Sequence, residues 1–397
     1  MATVVALLWA NSPWQDSYTT LWSTHLAVSL GSHSIDLTLQ EWINDGLMTV
    51  LFFVVGLEIK RELVEGELRE PRRAALPVIA AVGGMVVPAL IYALVNAGGM
   101  GTRGWGIPMA TDIAMSVGLL TLLGSRVSPS LKLFLLALAI VDDIGAIVVI
   151  ALFYATDVHY DALGVAVLIV LVVMVFRRLG IRPVALYVVL ASALWLALHD
   201  AGVHATLAGV ALGLLTPTSP LRRRDEISDD MLRDVSTPQT AYETVVLARQ
   251  AVSVVAWLEH RLHPWSSLVV VPLFALANAG VPLSASALSD AATSRIAFGV
   301  AAGLVIGKVV GISAFVWLGV RLRVGMLPDG VRWSDVVGVA AIAGVGFTVS
   351  IFVAGLAFDD AARQDQAKIG ILVASVIAGA AGAILLTRVN GRRGTRL

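Results

Sequence analysis

The sequence predicts an all-α bundle of about twelve membrane-crossing helices, and composition, charge spacing and charge asymmetry carry that expectation. Of 397 residues, 57% are hydrophobic and 14% charged, and the mean hydropathy is +0.84. Soluble domains carry about 25% charged residues; so few charges cannot cover a water-facing surface. Lys+Arg total 28 and Asp+Glu total 28, so no net charge invites nucleic acid. Cysteine is absent, which excludes disulfides, thiolate nucleophiles and Cys-based metal sites. The 36 glycines suit close helix packing and interrupted helices in lipid.

Charge-free runs place helices at 1–10, 42–60, 74–97, 105–123, 132–155, 161–176, 183–199, 202–216, 265–281, 296–320, 335–357 and 368–387, since about 20 apolar residues cross a bilayer. Met1–Ala10 is too short to span and is ended by Asn11-Ser12-Pro13; it is expected to be a stub or a truncated start. With both termini on the cytoplasmic side, 23 Lys and Arg fall in cytoplasmic segments and 4 in external ones, as the positive-inside rule requires. Trp42, Trp105, Trp265 and Trp333 lie near predicted helix ends, where indole rings sit at the interface. Residues 1–397 read as a single membrane domain, with a cytoplasmic loop over 217–264. Within that loop Ala241–Leu262 has the pattern of an amphipathic helix lying along the membrane.

The informative residues are the ionisable ones inside spans, because a charge at a helix centre costs about 2.5–3.5 kcal/mol on insertion scales. Lys308 has uncharged residues over 296–307 and 309–320, which places it roughly 18 Å from either end, beyond snorkelling reach. It needs a counter-charge or must give up its proton. Asp142-Asp143 stands mid-span, and adjacent helical residues point about 100° apart. Two such carboxylates cannot both stay ionised and unpaired in a dry core. One solution gives a carboxylate to Lys308 and the other to a mobile cation or proton. The plainer reading, a structural ion pair between helices, accounts for Lys308 but leaves the second acid unexplained.

Asp112 follows Gly104-Trp105-Gly106-Ile107-Pro108-Met109-Ala110-Thr111, a poor recipe for an unbroken helix. A break exposes backbone carbonyls, and the Thr111 hydroxyl and Asp112 carboxylate add oxygens suited to a hard ion such as Na⁺. Thr111 or Asp112 also fits the N-cap of the second half-helix, and both roles can hold together. A second interrupted span, Ala343-Gly344-Val345-Gly346-Phe347-Thr348, echoes the first. Paired interruptions point to a transporter with internal repeats and a site at the midplane. His260 and His263 follow Glu259 without a third zinc ligand, and no phosphate-binding glycine loop is present. Nothing implies a cofactor or ATP; energy is expected to come from ion gradients. An intramembrane aspartyl protease is a poorer reading, because Lys308 would quench an acid dyad. A Na⁺-coupled symporter needs a solute pocket that sequence does not define.

Matching stretches run through most of the chain: Trp42–Asp45, Val55–Leu63, Ile79–Met85, Ala110–Ala114, Phe134–Ala146, Gly202–Gly209, Leu258–His260 and Gly344–Thr348. In them the chain resembles the NhaA family of bacterial sodium/proton antiporters. The resemblance implies inverted-topology repeats with two broken, crossing helices, transport rather than enzymatic chemistry, and residence in a bacterial inner membrane. It implies Asp143 as principal transient ligand of Na⁺ or Li⁺ and as proton site, with Asp142 beside it and pairing with Lys308 when the ion is absent. It implies that Thr111 and Asp112 lie where the broken helices cross. Glu58, Glu62, Glu259, His260 and His263 fall at positions linked to pH response, although they also read as solvated charges at a basic interface. Partners are the lipid bilayer, Na⁺, Li⁺ and H⁺, and the family admits a homodimer. The chain departs from the family in its short first helix, its long 217–264 loop, and Val309-Val310 where a proline is frequent. Asp142, Asp143 and Lys308 together admit two protons against one Na⁺, either on both carboxylates or on Asp143 and Lys308.

Overall fold

The computed structural model describes residues 1–30, 33–155, 157–181, 183–219, 242 and 252–391. Each expected segment contains helix. Seven helices are long and apolar enough to cross a membrane: Leu39–Val64, Pro71–Val95, Thr102–Leu122, Pro129–Phe153, Tyr160–Arg178, Arg295–Arg321 and Ala361–Arg388. Trp333–Ile342 and Phe347–Ala357 together have the length and apolarity of one more, with a 50° bend at Ala343–Gly346. Shorter helices occupy Ala2–Ala10, Val184–Asp200 and Leu207–Leu215.

Local chemistry sets several starts. Pro129 follows Ser128, whose hydroxyl accepts from the Leu131 N–H at 3.3 Å; proline at the first helical position loses no bond there. Thr38 and Glu41 form a reciprocal capping box at the start of Leu39–Val64. Ser294 caps Arg295–Ala302 by accepting from Ile296 and Ala297.

The chain divides into two compact units. The first holds 1–44, 67–155 and 271–397; the second holds 45–66 and 156–270. The first unit packs Leu131, Phe134, Leu135 and Leu138 of the Pro129–Phe153 helix against Val336 and Val339. Its closest helix pair is Pro71–Val95 with Arg295–Arg321. There Gly83 and Gly311 face each other so tightly that a Cβ on either would overlap the other's carbonyl oxygen. A Cβ on Gly307 would stand 2.8 Å from Pro88 Cα. Small residues let backbones meet this way in lipid, where side-chain burial gives little drive. In the second unit Leu194, Leu198 and Ala208 form a separate core with Ala166.

Four features go beyond the sequence reading. His25–Leu30 and His33–Thr38 pair as an antiparallel two-stranded hairpin, a small departure from the all-α expectation. Gln15–Trp22 and Ala285–Thr293 are helical. Among the described residues three wide π turns occur, at Trp42–Leu47, Ser266–Val270 and Gly303–Gly307; the last ends just before Lys308. Of the amphipathic helix expected at Ala241–Leu262, residues 241 and 243–251 lie outside the described residues. From Val254 the chain is helical through Trp265 and continues through the π turn into Val271–Asn278.

Candidate ion site

The carboxylates sit on an uninterrupted helix; Asp142 meets Thr111, from the break of one interrupted helix, and Lys308, from Arg295–Arg321. Asp142 and Asp143 lie in Pro129–Phe153, 0% and 7% exposed. The Thr102–Met109 segment is a 3₁₀ helix, and Ala110 and Asp112 are extended before Ile113–Leu122 begins. The other break separates Ile342 from Phe347. The two breaks touch directly: the Asp112 N–H donates to the Val345 carbonyl at 2.8 Å. Ser350 Oγ donates to the Ile107 carbonyl at 2.9 Å, and Ser116 Oγ to the Ile342 carbonyl at 3.3 Å. Backbone groups freed by unwinding therefore find partners across the break, as a membrane interior demands.

One cluster gathers Thr111, Asp142 and Lys308. Lys308 Nζ donates to Asp142 Oδ2 at 2.5 Å and to Thr111 Oγ1 at 3.0 Å; both charged side chains are 0% exposed. Thr111 Oγ1 lies 2.8 Å from Asp142 Oδ2 and 2.9 Å from the Ala343 carbonyl. A hydroxyl has one proton, so Thr111 accepts from Lys308 and donates to one of those two oxygens at a time. Asp142 Oδ1 takes no hydrogen bond among the described residues. The ammonium is held at one carboxylate oxygen, and the other points away from it.

Asp112 is committed elsewhere. Its Oδ1 accepts from the Met115 N–H at 2.9 Å, capping its own helix. Its Oδ2 accepts from the Thr348 hydroxyl at 2.6 Å and the Thr348 N–H at 3.0 Å. Thr348 opens Phe347–Ala357, so one buried carboxylate faces two helix N-termini. Each N-terminus carries roughly half a positive charge, and Asp112 offsets both without a cation. The sequence offers Asp112 both as an oxygen for an ion and as an N-cap; its hydrogen bonds here are to helix starts. Thr348 was noted in its glycine motif but not as a site residue, and its partnership with Asp112 spans 236 positions.

A second group lies in the other unit. Arg61 Nη1 pairs with Glu259 Oε1 at 2.6 Å. Glu259 is 7% exposed, and its Oε2 takes no hydrogen bond among the described residues. Burial pushes its carboxyl above the usual range; Arg61 and His263 pull it down, and Glu62 and Glu65 raise it further. Glu58 is half-buried and Glu62 buried on the Arg61 helix, whereas His260 and His263 are exposed. Arg61 was not singled out from sequence.

Residues 1–386 match the family described as Na+/H+ antiporter 1. The chain belongs to that family. It is 47% identical over 398 residues to the Na(+)/H(+) antiporter NhaA 3 of Frankia alni, covering 99% of this chain and 86% of that protein. It is 45% identical over 400 residues to the Na(+)/H(+) antiporter NhaA of Syntrophobacter fumaroxidans, at 96% and 85% coverage. It is 46% identical over 398 residues to that of Rhodopirellula baltica, at 97% and 89%. In this chain Lys308 is preceded by the Gly303–Gly307 π turn and followed by Val309-Val310. A π turn adds one residue to a helical turn, which redirects the side chains beyond it.

Breaking the buried pair from one side should cost roughly 3–5 kcal/mol, because the remaining charge is left without its partner. Lys308→Gln and Asp142→Asn should each lower the melting temperature of the purified protein. The double variant should recover part of the loss; strictly additive losses would show that the two residues do not stabilise each other.

Proposed function

We propose that the chain is a secondary antiporter that exports Na⁺, or Li⁺, in exchange for protons taken up at the same cluster of Asp142, Asp143 and Lys308. The observation that carries this reading is the asymmetric buried pair: Lys308 on Asp142 Oδ2, with Oδ1 outside any described hydrogen bond and Asp143 adjacent. A dehydrated Na⁺ needs anionic oxygen, and Asp143 with Asp142 supplies it. The Thr111 hydroxyl adds a neutral oxygen within reach of Asp142.

Sodium entering this cluster competes with Lys308 for Asp142. The ammonium loses its principal partner on ion binding and releases its proton; Asp143 releases another. Return of two protons expels one Na⁺, so one net positive charge moves inward per cycle. The membrane potential contributes about 2.3 kcal/mol per 100 mV to that charge, which lets Na⁺ leave when the pH gradient is small. The distribution of Lys and Arg favours both termini on the cytoplasmic side, with the protein resident in the bacterial inner membrane. On that side the Arg61–Glu259 pair is the pH-responsive element. Glu259 ionises at a pH above that of an ordinary carboxylate, and ionisation makes its bond to Arg61 a full ion pair.

Asp143→Asn keeps shape but removes charge and titration. It should abolish Na⁺-driven dissipation of ΔpH in inverted vesicles while the protein still accumulates; normal exchange would end the assignment.

Competition between Na⁺ and H⁺ should make the apparent KM for Na⁺ fall as pH rises across the active range. A KM flat with pH would exclude shared carboxylates. Removing Arg61 takes away the charge that pulls the Glu259 carboxyl down. Arg61→Gln should therefore move the activity midpoint to higher pH while Na⁺/H⁺ competition persists; a midpoint unmoved, or moved to lower pH, argues against this pair as the responsive element.

In proteoliposomes an imposed inside-negative potential should accelerate exchange that carries two protons inward. On solid-supported membranes Na⁺ addition should give a transient current. Exchange indifferent to potential and free of current would establish an electroneutral cycle.

A further inference from the structure

The mechanism leaves unexplained how an unwound segment holds Thr111 within hydrogen-bond distance of Asp142. A 3₁₀ segment such as Thr102–Met109 has poorer internal hydrogen bonds than an α-helix, so its place must be fixed from outside. Two buried tyrosines do this. Tyr92, 0% exposed, donates through Oη to the Gly101 carbonyl at 2.8 Å. Tyr154, 1% exposed, accepts from the Gly106 N–H at 3.1 Å and donates to the Arg103 carbonyl at 2.9 Å. The Tyr154 ring also stacks on Trp105, with centroids 6.5 Å apart and planes inclined by 26°.

The glycines are shaped to these hydroxyls. A Cβ on Gly106 would stand 2.6 Å from Tyr154 Oη, and one on Gly104 would overlap Tyr92 Oη. The Gly-x-Gly that reads as a helix breaker is also the space two phenols occupy.

Tyr154 differs from Tyr92 in where it comes from. It is the first residue past Pro129–Phe153, the helix that carries Asp142 and Asp143. Twelve positions separate Tyr154 from Asp142, roughly 18 Å along the axis at helical rise. One rigid rod therefore presents the carboxylates at its middle and, at its end, grips the segment that leads to Thr111. From Gly106 the chain runs five residues to Thr111. We propose that Tyr154 is a positioning residue for ion binding, its hydroxyl fixing the depth of Thr111 against Asp142 through the Gly106 and Arg103 backbone. This rests on the reading of Asp142 and Asp143 as the ion site.

The test is Tyr154→Phe in the purified full chain. The ring and its stacking on Trp105 remain; the two backbone bonds go. At fixed pH the apparent KM for Na⁺ and Li⁺ should rise roughly two- to tenfold, as loss of one or two neutral hydrogen bonds implies. The maximal rate should stay within about twofold, since interactions that only bind the ion change KM. Gly106→Ala should shift KM in the same direction. The double variant should be no worse than the more affected single variant, because both changes break one tether and loss of the hydroxyl removes the atom nearest the methyl. Amide hydrogen exchange, read on the same proteins without transport, should speed up over 102–112 in Tyr154→Phe. A KM that stays at the wild-type value, a loss of rate without a change in KM, additive losses in the double variant, or unaltered exchange over 102–112 would each overturn the proposal. Wild-type protein that fails to exchange Na⁺ for H⁺ would overturn the antiport reading instead; the amide measurement then still decides whether Tyr154 holds the segment.

Discussion

A lysine that cannot reach water is the constraint around which the first unit is arranged. The Lys308 ammonium is tolerable at mid-span because Asp142 meets it directly and Thr111 offers a second acceptor. The helices that carry this amine and this carboxylate, Arg295–Arg321 and Pro129–Phe153, both pack on Pro71–Val95. The glycines at 83, 307 and 311 and the proline at 88 permit that approach. Any side chain there would push Lys308 outward, and a buried charge separated from its counter-charge loses the interaction that offsets its desolvation. The glycine contact and the ion pair are therefore one device: the backbones touch so that the charges can.

Asp112 and Asp142 differ in what already satisfies them. Asp112 accepts three hydrogen bonds from two helix starts, with both oxygens used. Asp142 is neutralised at one oxygen and open at the other. A saturated carboxylate stabilises the crossing of two broken helices and has little left for an ion. A half-satisfied one can exchange partners. Proximity in sequence hides this, since Asp112 follows Thr111, which does belong to the Asp142 cluster. The difference lies in what stands opposite each side chain.

That contrast marks how far the sequence could be read. Asp142, Asp143, Lys308 and Asp112 were legible because lipid makes any internal charge conspicuous, and the breaks were legible from Gly104, Gly106, Pro108, Gly344 and Gly346. The NhaA-family stretches take in Asp112, Asp142, Asp143, Gly344 and Gly346 of these. What stayed hidden required pairing of distant residues: Thr348 with Asp112, Tyr154 with Gly106, Arg61 with Glu259. Threonine, tyrosine and arginine of these kinds are ordinary at helix ends and carry no local signal of partnership. The His25–Thr38 hairpin escaped for another reason. Its strands are short and mixed in polarity, and a search built on long charge-free runs passes over them. The π turn before Lys308 left no mark beyond two glycines four positions apart, which read as packing.

A transport site must also avoid being too well satisfied. If every oxygen of Asp142 were held as those of Asp112 are, displacing Lys308 would forfeit more than a sodium ion could return, and the cluster would be purely structural. If Asp142 had no partner, its charge would be buried with nothing to offset the desolvation. Lys308 on one oxygen lies between these limits: it gives Asp142 a hydrogen-bonded counter-charge and leaves the other oxygen without a hydrogen bond among the described residues. Such a balance is sensitive to ångström-scale error, because Coulombic and hydrogen-bond energies change steeply over that distance in a low-dielectric interior. That sensitivity explains why so much of the surrounding chemistry serves placement. Asp112 locks the two breaks together, Ser350 and Ser116 stitch them again, and the tyrosines hold the 3₁₀ segment from outside. The mobile elements of such an exchange are protons and one small cation; everything that must stay still is held by uncharged hydrogen bonds and by a carboxylate already spoken for.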